Sequence, residues 1–119
     1  FNTKVIHEGQ KPEEPFGAVS LPIYQTSTFK QNEFGEYIFD YSRADNPTRQ
    51  NLEKNIASLE NGIGAIAYSS GMAAISSVCQ LFKSGDELIF TNNVYGGTYR
   101  LMEKIMNRMF SLLTMFLLF

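Results

Sequence analysis

The amino-acid sequence predicts an α/β fold, with an extended N-terminal arm followed by the start of a mostly parallel β-sheet domain. Residues 1–40 contain prolines and glycines too often for long helices. Residues 46–62 carry the caps and the apolar spacing of a helix. From residue 64 onward, short apolar segments alternate with helical patterns, and this alternation is typical of βαβ units with a parallel sheet.

The arm is the least regular part of the chain. The residues that interrupt it are Gly9, Pro12, Pro15, Gly17, Pro22 and Gly35. Residues 22–29 combine β-branched and aromatic side chains, which suits an extended backbone. Because no apolar periodicity marks a core in this region, we expect residues 1–45 to form an arm that folds onto another surface.

One helix is predicted to follow the arm. Asn46 has a side chain that can cap a helix N-terminus, and Pro47 suits the first helical position. Gly62 is predicted to end the helix, as glycine commonly does. The apolar side chains recur at positions i, i+4 and i+7, which predicts one apolar stripe made of Leu52, Ile56 and Leu59.

Two strands and two further helices complete the predicted elements. The strands are residues 64–68 and 87–90, and the helices are residues 71–82 and 97–108. The apolar side chains on one side of these helices are Met72, Ile75, Cys79 and Phe82, then Leu101, Met102, Ile105 and Met109. Ligands of parallel sheets bind outside the carboxyl ends of the strands, so the turns after both strands are expected to meet there.

The turn Ser70-Gly71-Met72 is the first candidate site. Gly71 lets a ligand approach the backbone closely, and the amides of Gly71 and Met72 belong to the free donors at a helix N-terminus. The helix dipole adds a positive field, so this turn suits a phosphate. An ordinary tight turn without a ligand is the alternative, because small residues are common at such turns.

Four further side chains suit a phosphate-bearing aromatic cofactor. Tyr95 precedes two glycines and can lay its ring over an aromatic ligand. Arg100 follows within the next helix and can bind a carboxylate through its guanidinium. Tyr41 and Arg43 precede the first predicted helix and can donate to a phosphate. A partly buried loop tyrosine, a solvated helix arginine and a surface pair are the respective alternatives.

Composition argues against several classes of function. Ten Lys and Arg against twelve Asp and Glu give a net charge of −2, with no basic stripe for nucleic acid and no cationic face for a membrane surface. Residues 109–119 are too few to span a bilayer, which needs about 20 residues. The single histidine, His7, gives no metal site, and the single cysteine, Cys79, indicates a reduced, cytoplasmic location.

Taken in order, the motifs resemble the Cys/Met-metabolism family of enzymes that depend on pyridoxal 5′-phosphate (PLP). The residues that carry the resemblance are Ile6-His7-Glu8-Gly9, Gly17-Ala18-Val19, residues 22–29, Tyr41-Ser42-Arg43, Asn46-Pro47-Thr48-Arg49, Ser70-Gly71-Met72 and Tyr95-Gly96-Gly97. The resemblance runs from about residue 3 to residue 108. It implies the aspartate-aminotransferase-like fold of type I, whose large, PLP-binding domain would start at residue 46 and be incomplete here.

The resemblance also implies roles for single residues. The amides of Gly71 and Met72 would bind the PLP phosphate, and Tyr95 would stack on the pyridine ring and assist proton transfer. Tyr41 and Arg43 would reach the phosphate bound by the neighbouring subunit. Family members form dimers that pair into tetramers, so the arm would lie against a partner subunit.

By the same resemblance, the function is that of a trans-sulfuration enzyme of the cystathionine γ-synthase or γ-lyase type. Such an enzyme acts on the γ-substituent of homoserine-derived or sulfur amino acids, and Arg100 would lie on the substrate side. The short spacing from Phe29 to Tyr41 favours this branch over O-acetylhomoserine sulfhydrylase. That sulfhydrylase, methionine γ-lyase, and a non-catalytic phosphate-binding or interaction module are the alternatives.

Two features depart from the family. Its Schiff-base lysine has no counterpart in this chain, whose lysines are Lys4, Lys11, Lys30, Lys54, Lys83 and Lys104. We therefore expect this chain, as an N-terminal fragment, to be inactive alone. We also expect the likeness to stop near Phe110, so that residues 111–119 form an atypical tail that is cut or out of frame.

Overall fold

The computed structural model describes residues 1–91 and 93–108 and the backbone of residues 111–115. It divides into two compact units, Phe1–Ala67 and Tyr68–Phe119. In chain order the elements are α1 (Asn2–His7), α2 (Pro47–Leu59), α3 (Gly71–Cys79), β1 (Glu87–Thr91), α4 (Gly96–Lys104), a 3-10 turn (Met106–Arg108) and β2 (Ser111–Met115). Helices and strands are thus mixed, as the sequence predicts. The predicted domain boundary after residue 45 concerns packing on another subunit and stays a prediction.

The N-terminal unit begins with helix α1, which the sequence pattern did not predict. Its last carbonyls accept hydrogen bonds from Nδ2 of Asn55 in α2, at distances between 3.0 and 3.2 Å. The acceptors are Lys4, Val5 and Glu8. A helix of six residues is too short to form on its own propensity. It forms here because a distant side chain satisfies its free carbonyls.

Helix α2 begins as predicted and ends differently. Asn46 Oδ1 accepts a hydrogen bond from a first-turn amide (2.8 Å), and Pro47 is the first helical residue. At the other end Asn61, rather than Gly62, takes the left-handed conformation, with φ of +54°. The Gly62 amide donates to the carbonyl of Ala57 (2.8 Å). This bond closes the helix in a Schellman-type turn, in which asparagine can replace glycine.

The apolar stripe predicted on α2 is not buried within this unit. Leu52 and Ile56 are 53% and 43% exposed, whereas Ala57 is the buried residue of the helix. The spacing therefore predicted the helix correctly but not what its apolar face contacts. An exposed apolar face is typical of a surface that another protein segment covers.

Tyr24 fastens the arm to the start of α2. Its amide donates to Thr48 Oγ1 (2.9 Å), its carbonyl accepts from Asn46 Nδ2 (3.1 Å), and its hydroxyl donates to Glu13 Oε1. The hydrogen bond to Glu13 raises the pKa of Tyr24 above its ordinary value of 10.0. The reason is that only the neutral hydroxyl can donate this bond, so the fold favours the protonated form.

We expect the hydrogen bond between Tyr24 and Glu13 to be lost in alkali. The folded chain holds the Tyr24 proton more tightly than the unfolded chain, so its stabilisation is complete below the ordinary pKa of 10.0 and is lost as the pH rises through the raised pKa. Tyrosinate absorbance should show a late titration step that Tyr24→Phe removes and that the exposed control Tyr37→Phe keeps. A late step that survives Tyr24→Phe would contradict the assignment.

The C-terminal unit contains a parallel strand connection, but not between the two strands that the sequence predicts. Strands β1 and β2 pair in parallel, with Glu87 opposite Ser111 and Thr91 opposite Met115, and helix α4 lies between them in the chain. The strand predicted at residues 87–90 is confirmed. Strand β2 lies within residues 111–119, which we expect to be an atypical tail; that they are cut or out of frame stays a prediction.

Residues 64–68, predicted as a strand, are neither helix nor strand, so that prediction is wrong. A strand requires a neighbour that takes its backbone hydrogen bonds. In this segment the Ala67 amide instead donates to the side chain of Glu53 (2.9 Å). Among the described residues, no strand of the N-terminal unit is available to pair with it.

The described core of the C-terminal unit is small. Cys79 and Met102 are buried, and the side chains packed against them are Ile75, Leu88, Phe90 and Met106. Burial raises the pKa of the Cys79 thiol, so this side chain packs as a neutral apolar group.

Within the described part of the chain, no helix is both long and apolar enough to cross a membrane.

Both helices of this unit end earlier than predicted. Helix α3 ends at Cys79, and α4 ends at Lys104 and is followed by the 3-10 turn. This tighter turn changes which side chains face the core, because Ile105 is 57% exposed while Met106 packs against the core. The predicted stripe is therefore wrong at Ile105, and its last member, Met109, lies outside the described residues.

Candidate functional site

Helix α3 begins at the turn that the sequence singles out. Ser70 is its N-cap, with Oγ accepting from the Ala73 amide (3.1 Å). The amides of Gly71 and Met72 make no hydrogen bond to any residue that the structure describes. A Cβ added to Gly71 would meet nothing within 4 Å, so the space around this residue is open. Two free donors at the positive end of a helix can therefore receive an anion.

Tyr95 lies beside this turn. It is the N-cap of α4, and its ring covers the backbone of Gly97. A Cβ on Gly97 would lie 2.5 Å from Cε1 of Tyr95 and 3.0 Å from Sδ of Met72. The Thr98 hydroxyl donates to the same sulfur at 3.9 Å. The first turns of α3 and α4 therefore lie side by side, and the structure brings Met72 and Tyr95 together.

Two side chains at this point are available to a ligand. Tyr95 is 72% exposed although its ring covers Gly97. Arg100 folds back over the first turn of α4, with Nη1 3.4 Å from the position of a Cβ on Gly96. Neither of the two ion pairs found among the described residues involves Arg100. A guanidinium without a carboxylate partner can bind the carboxylate of a ligand.

Tyr41 and Arg43 lie together in the N-terminal unit. The guanidinium carbon of Arg43 is 4.9 Å from the centroid of the Tyr41 ring, which is a cation–π contact. Both side chains are exposed. Arg43, like Arg100, forms no ion pair among the described residues. The pair therefore presents a hydroxyl and an unpaired guanidinium on one surface, which suits an anion.

The sequence analysis assigned no role to Arg49, although it ends the motif Asn46-Pro47-Thr48-Arg49. The structure places its guanidinium against the segment that carries Tyr41 and Arg43. Arg49 pairs with Asp45 (3.4 Å) and Glu53 (3.6 Å), which lie four residues before and after it. This i−4 and i+4 charge spacing on a capped helix is the signal that could have found it.

Comparison with known proteins decides the family. The sequence model of the Cys/Met metabolism PLP-dependent enzymes matches residues 2–117. The chain belongs to this family. The match extends past Phe110, so the expectation that the likeness stops there is wrong.

Among the described residues, no group of three or more His, Cys, Asp or Glu side chains is placed to hold a metal ion.

Family members of known name are similar to this chain over nearly all of its length. A cystathionine beta-lyase of Lactococcus lactis subsp. cremoris (strain MG1363) is 52% identical over 109 residues, which are 91% of this chain and 29% of that protein. A cystathionine gamma-lyase of Bacillus subtilis (strain 168) is 52% identical over 108 residues, which are 90% of this chain and 28% of that protein. The chain therefore spans less than a third of the length of these relatives.

Solved structures agree with the predicted fold class. The cystathionine gamma-lyase from Lactobacillus plantarum, crystallised with L-serine, superposes with a TM-score of 0.85 at 42% identity, over 95% of this chain and 30% of that chain. The structure of metB from Corynebacterium glutamicum gives a TM-score of 0.87 at 36% identity, over 95% of this chain and 30% of that chain. This likeness is consistent with the fold type I class.

Proposed function

We propose that this chain is the N-terminal part of a PLP-dependent trans-sulfuration enzyme that acts on the γ-substituent of homoserine-derived or sulfur amino acids. One observation carries the proposal: the turn with free amides at the start of α3 lies beside the exposed ring of Tyr95, because the Met72 side chain of that turn and the ring both face Gly97. Membership of a PLP-dependent family supports the cofactor, and the names of the relatives support the substrate class. The family's mostly parallel sheet would continue from β1 and β2.

The residues present fit PLP. Its phosphate suits the amides of Gly71 and Met72, because both donors lack a partner among the described residues and the space around Gly71 is open. Its ring suits Tyr95, whose flat side chain is exposed beside these amides. When bound, PLP supplies an electron sink for carbanions of the amino-acid substrate. Tyr95 would hold or transfer a proton at its hydroxyl oxygen, and Arg100 would bind the substrate carboxylate.

The proposed active site is shared between subunits. Tyr41 and Arg43 would bind the phosphate held by a neighbouring subunit, and dimers would pair into tetramers. In support, Arg43 has no ionic partner among the described residues, and the arm, residues 1–45, exposes large apolar side chains. These include Phe16, Val19, Ile23, Phe34 and Ile38. Apolar side chains exposed in such number are typical of a surface that a partner covers.

Turnover is assigned to the whole protein rather than to these 119 residues. None of the six lysines in the chain lies in a motif like that of the family's Schiff-base lysine, so the chain would bind PLP without attaching it at the active site. The cytoplasmic location that we propose for the enzyme is consistent with the single buried cysteine, Cys79.

Tyr95→Leu is the variant that tests the cofactor site. In a titration of this chain we expect PLP to bind more tightly than pyridoxal, which lacks the phosphate. Loss of stacking in Tyr95→Leu should weaken PLP binding by about 2- to 12-fold. The matched control is Tyr99→Leu, which removes an exposed tyrosine one turn further along α4 and should change nothing. Borohydride reduction should not fix the bound PLP to a lysine of the chain.

The outcomes of this titration separate the parts of the proposal. Equal binding of PLP and pyridoxal would refute the phosphate site, and equal losses in the two tyrosine variants would refute the stacking role. Borohydride reduction that fixes PLP in stoichiometric amount to one lysine would instead show that a lysine of this chain attaches the cofactor. The reaction itself is identified by assaying the whole enzyme with L-cystathionine. Cleavage on the γ side releases cysteine, whereas cleavage on the β side releases homocysteine.

A further inference from the structure

The Arg49 guanidinium is surrounded by oxygen atoms of the segment that precedes α2. Its two terminal nitrogens donate to four oxygens at distances between 2.5 and 3.5 Å, and Nε lies 3.6 Å from Glu53 Oε1. The four oxygens are Ser42 O, Arg43 O, Ala44 O and Asp45 Oδ1. A guanidinium has five N–H donors, and here they face five acceptor oxygens.

Helix α2 itself does not explain an arginine at this position. Arg49 is the third helical residue, and a cation there opposes the positive end of the helix dipole. Asp45 and Glu53 offset its charge, but an uncharged residue would need no such offset. The contribution that only Arg49 makes is therefore a set of three hydrogen bonds to consecutive backbone carbonyls, those of residues 42–44.

These carbonyls belong to the segment that carries Tyr41 and Arg43. We propose that Arg49 is a positioning residue, which fixes the backbone of residues 42–44 and thereby sets the direction of the Tyr41 and Arg43 side chains. The inference rests on the proposed function, in which these two side chains bind the PLP phosphate of a neighbouring subunit. Arg49 does not bind the phosphate itself, because its donors already have acceptors.

The variant Arg49→Lys separates the guanidinium fork from its charge. Lysine keeps a cation near Asp45 and Glu53. Its three donors lie on one atom, however, so it cannot donate to three consecutive carbonyls as arginine does. In NMR spectra the Tyr41 ring should shift the side-chain protons of Arg43 upfield, because the guanidinium carbon lies 4.9 Å from the ring centroid. We expect Arg49→Lys to lose this shift.

Glu53→Gln is the matched control. It removes the ion pair with Arg49 but leaves the bonds to the carbonyls of residues 42–44, so the upfield shift of Arg43 should remain. The far-ultraviolet circular dichroism of both variants should match the wild type, because the Asn46 cap and Pro47 are unchanged. A retained Arg43 shift in Arg49→Lys would overturn the positioning role, whatever the result with PLP.

The preference for PLP over pyridoxal is the second measurement. Arg49→Lys and Arg43→Lys should each reduce this preference about tenfold and leave pyridoxal binding unchanged. If Arg43→Lys loses the preference and Arg49→Lys keeps it, the positioning role is overturned and the proposed function stands. If the wild type has no preference, or Arg43→Lys keeps it, the proposed cofactor role of the segment fails, and the Arg43 shift still reports on the positioning separately.

Discussion

Gly97→Ala is expected to weaken PLP binding by about ten- to a hundredfold. The new Cβ would lie 2.5 Å from Cε1 of Tyr95 and 3.0 Å from Sδ of Met72, so both side chains must move. The ring stack would be disturbed, and a shift of Met72 would also disturb the turn whose amides we propose to bind the phosphate; the range combines the typical contributions of a ring stack and a hydrogen bond. The measurement is the same titration of the chain with PLP and pyridoxal that tests Tyr95→Leu.

Gly96→Ala is the matched control for this variant. A Cβ on Gly96 meets one atom, Nη1 of Arg100, at 3.4 Å, which is the end of a flexible side chain. Both substitutions replace glycine by alanine in the first turn of α4, where alanine is the better helix former by up to about 1 kcal/mol. Weakened binding in Gly97→Ala alone, without a loss of unfolding free energy, would thus report on the position of the ring.

A double variant tests whether the ring is what Gly97 protects. If Gly97→Ala acts by moving Tyr95, then adding Tyr95→Leu should weaken binding little further, since the two changes remove the same contact. Losses that simply add would mean that Gly97 and Tyr95 act on the ligand independently. Losses of equal size in Gly96→Ala and Gly97→Ala would mean that the close approach at Gly97 has no role in binding.

The features that the sequence predicted well are determined by neighbouring residues. The cap at Asn46 with Pro47 after it, and the start of α3 at Gly71, need only a side chain and the next turn of the backbone. The starts of α2 and α3 were therefore readable from the sequence. The same reasoning predicted β1, whose apolar segment follows the Ser84-Gly85-Asp86 turn.

The features that were missed depend on residues distant in the sequence. Helix α1 depends on Asn55, which lies about fifty residues from the carbonyls that it binds. Residues 64–68 have the composition of a strand, but a strand also depends on a neighbour that composition does not reveal. The role of Arg49 emerges only when its guanidinium is seen against the carbonyls of residues 42–44.

The candidate site shows the same division between local and distant information. The amides of Gly71 and Met72 are free because of their place in a helix, which the sequence predicted. The contact of the Tyr95 ring with Gly97 beside Met72 depends on how α3 packs against α4. The order of strands and helices predicted only that these turns lie at the same edge of the sheet. Spacing thus selected the residues of the candidate site, and packing determined which of their atoms touch.

Gly9→Ala is expected to destabilise the N-terminal unit by about 2–4 kcal/mol. Gly9 has φ of +79°, where alanine is strained, and its Cβ would lie 2.6 Å from the backbone oxygen of Asn51 and 2.8 Å from Asn51 Oδ1. The helix backbone of α2 cannot yield easily, so α1 must move away. The bonds from Asn55 to the carbonyls of α1 would then be lost, and amide hydrogen exchange of residues 2–9 should accelerate.

Gly35→Ala separates backbone strain from the contact with α2. Gly35 has nearly the same φ, +81°, but a Cβ there meets nothing within 4 Å, so the variant should cost only about 1 kcal/mol. Urea unfolding of the two variants measures the difference, which isolates the contact between Gly9 and Asn51. Equal destabilisation would show that α1 is not held tightly against α2. A larger loss in Gly9→Ala, together with faster exchange in α1, would explain why a glycine ends the Ile6-His7-Glu8-Gly9 motif: only glycine lets the chain pass this close to α2.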